Sequence, residues 1–407
     1  MPESTETARH ALMGMASLMK QAFYGQDLNP LAEALLQRAR ANPQDAEALM
    51  DLATIRQLQF RPEEALPYQA EALAIQREYQ LLPSGPIGIR LLALMIPGVL
   101  ADNTPLEFLV EGSDIALTML YLDPDAPLPS SFPDHDVMFV AIGEGDHARP
   151  LLHQLEALIP TWPHPVFNLP ASILKTSREG TYANLKDQPG IVIPPTVRAD
   201  RSTLERLASD EFPLSTLLEA GSFPIIIRPI ASHAGKGLLK LENRSDLANY
   251  LHQMPDPEFY VSPFVDYRGA DGQFRKARVA LVQGRPFAVH LGISNHWMIH
   301  YLNAGMDQDV LKRAEEAVFM SKFDERFGHR HEAAWRIITE RLGIDYLLID
   351  CGETPQGELL IFEVDNSAVV HAMDPVAIFP YKKPQMHKVF AAFREMLDRD
   401  PLSTDSH

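Results

Sequence analysis

The sequence predicts a multidomain α/β (α+β) protein that opens with helices, and three observations carry that expectation. Small and apolar residues recur at helical spacing through the first eighty positions. Short apolar runs of strand type follow the break at Pro83-Ser84-Gly85-Pro86. From about residue 170 onward, strand and helix patterns alternate and two hairpins stand out. A chain of 407 residues is too long for one ordinary core and suggests two or three domains. Its 46% hydrophobic content is that of a folded protein. Cys351 is the one cysteine, which excludes an internal disulfide framework and a Cys-rich zinc module. The net charge of −18 argues against a nucleic-acid partner, because a phosphate backbone needs a basic surface.

The elements follow in order. Between Asp45 and Gln80 the pattern gives two helices separated at Phe60-Arg61-Pro62, with Pro62 suited to the first turn of the second. Leu52-Ala53, Ala65 and Ala72 resemble the small-residue positions of a tetratricopeptide repeat. The stretch LAEALLQRARANPQDAEAL reads as the back half of another. Only about one and a half units are visible, so a helical cap and a partner-binding repeat module are both open readings. After the break, IRLLALMI, ALTMLYL and DVMFVAI read as strands, with a helix around His153 to Leu158. The most apolar run, Leu91 to Ala101, is too short to cross a bilayer, and the first twenty residues lack the pattern of a secretory signal. No membrane partner is therefore expected, and a cytoplasmic protein is.

The first hairpin turns at Gln283-Gly284-Arg285. The second runs from Tyr346 through Asp350, turns within residues 353–357, and returns through Leu359 to Asp365. Glu363 and Asp365 lie two apart and share a strand face. A turn centred between Pro355 and Gln356 sets Asp350 opposite Ile361, diagonal to Glu363. Three carboxylates on apolar strands repel unless a cation neutralises them, and hard oxygens of this kind suit Mg²⁺ bridging to phosphate. Upstream, the apolar run Ile225-Ile226-Ile227 ends in Arg228. The loop Ser232-His233-Ala234-Gly235-Lys236-Gly237 follows, where glycines let backbone N–H groups approach an anion. His329 and His331 beside Arg330 read as a solvated turn.

In this order the stretches IIIRP, SHAGKG, YVSPFV, RVALVQG and DYLLIDC…GELLIFEVDN resemble the ATP-grasp superfamily, over roughly residues 170–400. The resemblance implies an ATP-grasp fold at 173–400, a pre-grasp α/β domain at 83–172, a helical module at 1–82 and a polar tail at 401–407. It implies ATP as cofactor, with Arg178 and Arg228 at the phosphates and Ser232, Gly235, Lys236 and Gly237 in a closing loop. Val261, Pro263 and Phe264 would flank adenine, and Asp266 would meet the ribose. Arg278, by the γ-phosphate, and Lys236, in the closing loop, are the catalytic candidates. Asp350, Glu363 and Asp365 would hold Mg²⁺, as two ions with Glu363 between them. The family's Glu-x-Asn reads Glu363-Val364-Asp365 here, with Asn366 one later, and Arg228 replaces the commoner Lys. Substrate candidates are Asn295, His296, His300, Asn366 and His371.

The implied activity is an ADP-forming ligase that activates a small-molecule or peptide carboxylate as its acyl phosphate for attack by an amine. A kinase on the same fold, and a nucleotide-binding interaction protein acting through its helical start, are the alternatives. A peptide or protein partner at the helical module and a homodimer are compatible with the resemblance.

Overall fold

The computed structural model describes residues 11–219, 221–230 and 235–398. Ser232 and residues 401–407 of the expectations above lie outside that set. The described chain is a mixed α/β structure with a helical start, as the sequence predicts, and it forms two compact units. Unit 1 comprises residues up to 174 with 344–348 and the segment from 365 onward, and unit 2 comprises 175–343 with 349–364.

Unit 1 begins with four helices: α1 (Met15–Phe23), α2 (Asn29–Ala41), α3 (Ala46–Leu58) and α4 (Pro62–Ile75). Asp45 caps α3 by accepting from Ala48 N at 2.9 Å, and Pro62 occupies the first turn of α4, where its missing N–H costs nothing. Consecutive helices α2, α3 and α4 pack on one another, and α3 buries every residue from Ala48 to Ile55. The helical expectation runs to Gln80, but Glu78–Leu81 is a strand, β1. Long-range pairing wins there: β1 lies antiparallel to β3 (Ile115–Tyr121), with Tyr79 opposite Met119. A five-stranded sheet in the order β1-β3-β2-β4-β5 results, with β2 Ile89–Met95, β4 Val137–Val140 and β5 Val166–Phe167. The strands β3, β2, β4 and β5 run parallel, and the first three are almost wholly buried, which explains their continuous apolar runs.

Unit 2 carries one whole sheet and most of a second. One has the order β7-β10-β8-β9, from β7 Val197–Asp200, β8 Ile225–Pro229, β9 Leu239–Leu241 and β10 Glu258–Pro263. Its core is formed by Ile225, Ile227, Phe259 and Val261, covered by Leu204, Leu247 and Leu251 of the flanking helices. The other has the order β12-β11-β13-β14-β6, from β6 Ile191–Val192, β11 Phe274–Val282, β12 Arg285–Ser294, β13 Tyr346–Glu353 and β14 Leu359–Asp365.

The turn between β11 and β12 is two residues, Gln283 and Gly284. Both have positive φ (46° and 76°), the conformation a tight hairpin requires. Arg278 sits mid-strand in β11. The turn between β13 and β14 is closed by Thr354 N donating to Glu358 O at 3.0 Å, with Gly357 at φ 84°.

Candidate active site

Six charged side chains of unit 2 gather where strands of its two sheets and one helix deliver them. Lys276 and Arg278 lie two apart on β11 and share a face. They pair opposite Gly292 and His290 of β12, and the register shifts immediately after Arg278, a bulge of the kind that re-aims side chains. Both reach the neighbouring strand: Lys276 Nζ donates to Asp350 Oδ2 at 2.8 Å, and Arg278 donates from Nε to Oδ1 at 2.7 Å and from Nη2 to Oδ2 at 3.0 Å. Asp350 is only 5% exposed. Burial by itself pushes its pKa up, but the charges of Arg278 and Lys276 outweigh burial and hold the carboxyl far below the ordinary range.

Glu363 on β14 is the second carboxylate. Arg178, in the first turn of helix Arg178–Leu185, donates from Nη2 to Glu363 Oε1 at 2.5 Å. The cap of that helix is Ser177, whose hydroxyl accepts from Gly180 N at 2.9 Å. The Glu363 carboxyl is held below its ordinary value. Burial opposes that shift, the charges of Arg178, Arg228 and Lys276 favour it, and Asp350 works against it. Arg228, on β8 opposite Tyr260 of β10, is pushed down to about 10 by burial and then by Arg178, with Glu363 pulling it back. These mutual influences put Arg178, Arg228, Lys276, Arg278, Asp350 and Glu363 within one electrostatic neighbourhood.

The segment after β12 packs on β12 itself and on the residues that follow β10. Trp297 meets the Phe264 ring edge-on at 5.8 Å, and its carbonyl accepts from the Tyr267 hydroxyl. Ile299 packs so closely on Gly292, opposite Lys276, that a Cβ there would lie 2.7 Å from its methyl. Tyr301 lies 4.5 Å from the His290 ring and donates to the buried Glu316 carboxylate at 3.1 Å. His300 is thereby set near β11: burial lowers its pKa first, then Lys276 and Arg278.

Other expected residues fall as follows. Gly235 and Gly237 have φ of 74° and 70°, conformations other residues rarely adopt, and Lys236 between them is exposed. Val261 is buried in β10, Pro263 ends that strand, and Phe264 N donates to Pro224 O at 3.0 Å while its ring carries Lys240 Nζ at 4.1 Å. Asp266, Asn295 and His296 are exposed. Asn366 and His371 belong to unit 1. Asn366 is buried and donates from Nδ2 to Ile142 O at 2.9 Å, and His371 meets the Phe23 ring at 5.4 Å. Asp365 accepts from Ser367 N at 2.6 Å.

Among the described residues, no group of three or more His, Cys, Asp or Glu side chains is gathered to hold a metal. Asp350 and Glu363 nevertheless offer the hard oxygens that suit Mg²⁺, an ion that takes one or two carboxylates and completes its shell with phosphate and water. His331 is not a solvated residue: it is 4% exposed, with Nε2 3.0 Å from Glu353 Oε1, whereas His329 is exposed. Sequence reasoning missed Lys276, for which the Lys276-x-Arg278 spacing on one strand face was the available signal.

The chain matches no protein-family model and no curated protein. It is similar to solved structures that include a RimK domain protein ATP-grasp from Sphaerobacter thermophilus, at 16% identity and TM-score 0.42 over 76% of this chain and 100% of that one. Others are the VanG D-Ala:D-Ser ligase of Enterococcus faecalis (14%, TM-score 0.45, 76% and 99%) and the D-alanine-D-alanine ligase of Coxiella burnetii (12%, TM-score 0.43, 76% and 96%). At such identities and scores these likenesses carry no argument about chemistry, which rests on this chain's own residues.

Proposed function

We propose that unit 2 is an ATP-grasp nucleotide site and that the protein is an ATP- and Mg²⁺-dependent ligase joining a carboxylate to an amine, releasing ADP and phosphate. One observation carries this reading: four cationic side chains surround two carboxylates, so the cluster has two positive charges in excess and suits a polyphosphate. Arg178 and Arg228 hold and orient the phosphate chain. Arg278 presents a planar fork to the transferring phosphoryl group, which needs positioning and charge neutralisation more than covalent help. Asp350 and Glu363 would hold Mg²⁺, which neutralises phosphate charge when bound. The substrate carboxylate oxygen attacks the γ-phosphorus and ADP leaves. The amine nitrogen then attacks the acyl carbon, phosphate leaves, and the amine's proton passes to solvent or phosphate.

The test is thermal unfolding of the parent and Glu363→Ala with Mg²⁺-ADP and Mg²⁺-ATP, followed by assay of ADP release with hydroxylamine as the amine. Binding at a hundredfold excess over Kd stabilises by about 2.7 kcal/mol, a Tm rise of roughly 2–4 °C for domains of this size. A rise lost in Glu363→Ala, with hydroxamate formed from an added acid, is the expected result. Phosphorylated substrate with no hydroxamate would instead identify a kinase, and AMP with pyrophosphate would overturn the ADP-forming route.

A further inference from the structure

The cation pair on Asp350 bears on how many metal ions the nucleotide brings, an inference that rests on the reading just proposed. Both Asp350 oxygens already accept from fixed cations, Oδ1 from Arg278 and Oδ2 from Lys276 and Arg278. The Lys276 side chain is 18% exposed and Arg278 is 24% exposed, so neither contact is a loose surface pair. Lys276 reaches Asp350 from the neighbouring strand of the same sheet, and Ile299 packs over the Gly292 that faces it. A divalent ion arriving without an anion would enter a cluster already two charges positive. A nucleoside triphosphate brings about four negative charges, so one divalent ion with it leaves the site neutral, and a second leaves it again two charges positive.

We infer that Lys276 serves as a tethered cation on Asp350 in place of a second divalent ion, so that this site takes one Mg²⁺ per nucleotide and none without it. Lys276 is thus a positioning residue. It fixes the metal stoichiometry by holding Asp350 Oδ2, and Asp350 and Glu363 would hold the single ion.

Equilibrium dialysis of the full chain against Mn²⁺ and adenosine 5′-(β,γ-imido)triphosphate measures both partners on the protein side. The expected ratio is one excess Mn²⁺ per bound nucleotide in the parent, with no Mn²⁺ retained when nucleotide is omitted. Lys276→Gln, checked for folding by its melting transition, should bind a second Mn²⁺, and Lys276→Arg should stay at one. Two Mn²⁺ per nucleotide in the parent overturns the inference without needing any variant. One Mn²⁺ in both the parent and a folded Lys276→Gln overturns the assignment to Lys276. Nucleotide binding is read separately from the same dialysis. Its absence would overturn the nucleotide site itself, an outcome distinct from a wrong ion count.

Discussion

Two sets of buried carboxylates sit in the two units and titrate in opposite directions. In unit 1, Asp51 on α3 and Glu107 of the short helix Leu106–Leu109 are 1% and 9% exposed. Asp51 accepts from Met13 N at 2.9 Å and Gly14 N at 3.1 Å, and Glu107 accepts from Ala16 N at 2.9 Å. Together they cap α1, which begins after Gly14 and has no side-chain cap of its own. Burial pushes Asp51 up to about 6 and Glu107 up to about 7, and the backbone N–H groups only partly offset it. In unit 2, Asp350 is equally buried, yet Arg278 and Lys276 drive it down. The difference lies in the partners. Dipoles of N–H groups hold a carboxylate in place without compensating its charge, whereas full cations compensate it and can be traded for another ligand.

The largest effect tests the cationic side of that contrast. Asp350→Ala leaves Lys276 and Arg278 facing each other in a largely buried setting, and breaking such a pair costs about 3–5 kcal/mol. Chemical denaturation should show that loss, with ADP release abolished. Asp350→Ala in combination with Lys276→Met should recover part of the stability and none of the turnover. If Asp350→Ala melts like the parent, the cations are solvated and the contrast fails.

The next effect tests the N–H-capped side through pH. A folded-state pKa raised above the ordinary carboxylate value means the stabilising contribution is complete below the ordinary value and is lost as pH rises through the folded value. Unit 1 should therefore weaken as pH climbs through about 6 and then about 7. For Glu107 the full swing is about 3 kcal/mol at the 1.36 kcal/mol of one pKa unit. Amide exchange at Met13, Gly14 and Ala16, corrected for the intrinsic rate and compared with β2, should accelerate from pH 4 to 8. In Glu107→Gln that acceleration should be about halved, because Asp51 remains. Exchange that follows the intrinsic rate alone would show that the two carboxylates carry ordinary pKa values.

What was legible in the sequence divides along similar lines. Local patterns were readable: the Gln283-Gly284 turn, the apolar run ending in Arg228, the break before α4 and the three central strands of unit 1 follow from residues within a few positions of one another. Asp350 and Glu363 were readable because a carboxylate at an apolar strand is locally anomalous. Partnerships across long separations were not. Lys276 meets Asp350 across 74 positions, Ala16 meets Glu107 across 91, and Arg178 meets Glu363 across 185. β1 was lost to the helix pattern before it because its strand character comes from β3 rather than from its own four residues. His331 looked solvated because its neighbours Arg330 and His329 are charged or polar, while its own side chain turns inward to Glu353 and Phe327.

Glu363 is the graded case between the two sets, and it gives the smallest and most discriminating change in stability. Its side chain is 42% exposed and that of Arg178 is 24% exposed, so solvent screens their pair despite its short contact. Pairs of this exposure contribute no more than about 1 kcal/mol to folding, and Arg178→Met should shift the denaturation midpoint by that much or less. The same substitution should remove most of the stabilisation by Mg²⁺-ADP, because a guanidinium that is cheap to detach from Glu363 is the one free to turn toward phosphate. Arg178→Lys should keep the charge and restore the ADP response only in part, since an ammonium cannot offer two parallel donors. A variant that loses several kcal/mol of stability while keeping the full ADP response would place Arg178 with the structural carboxylate partners of unit 1 instead of with the exchangeable cations of unit 2.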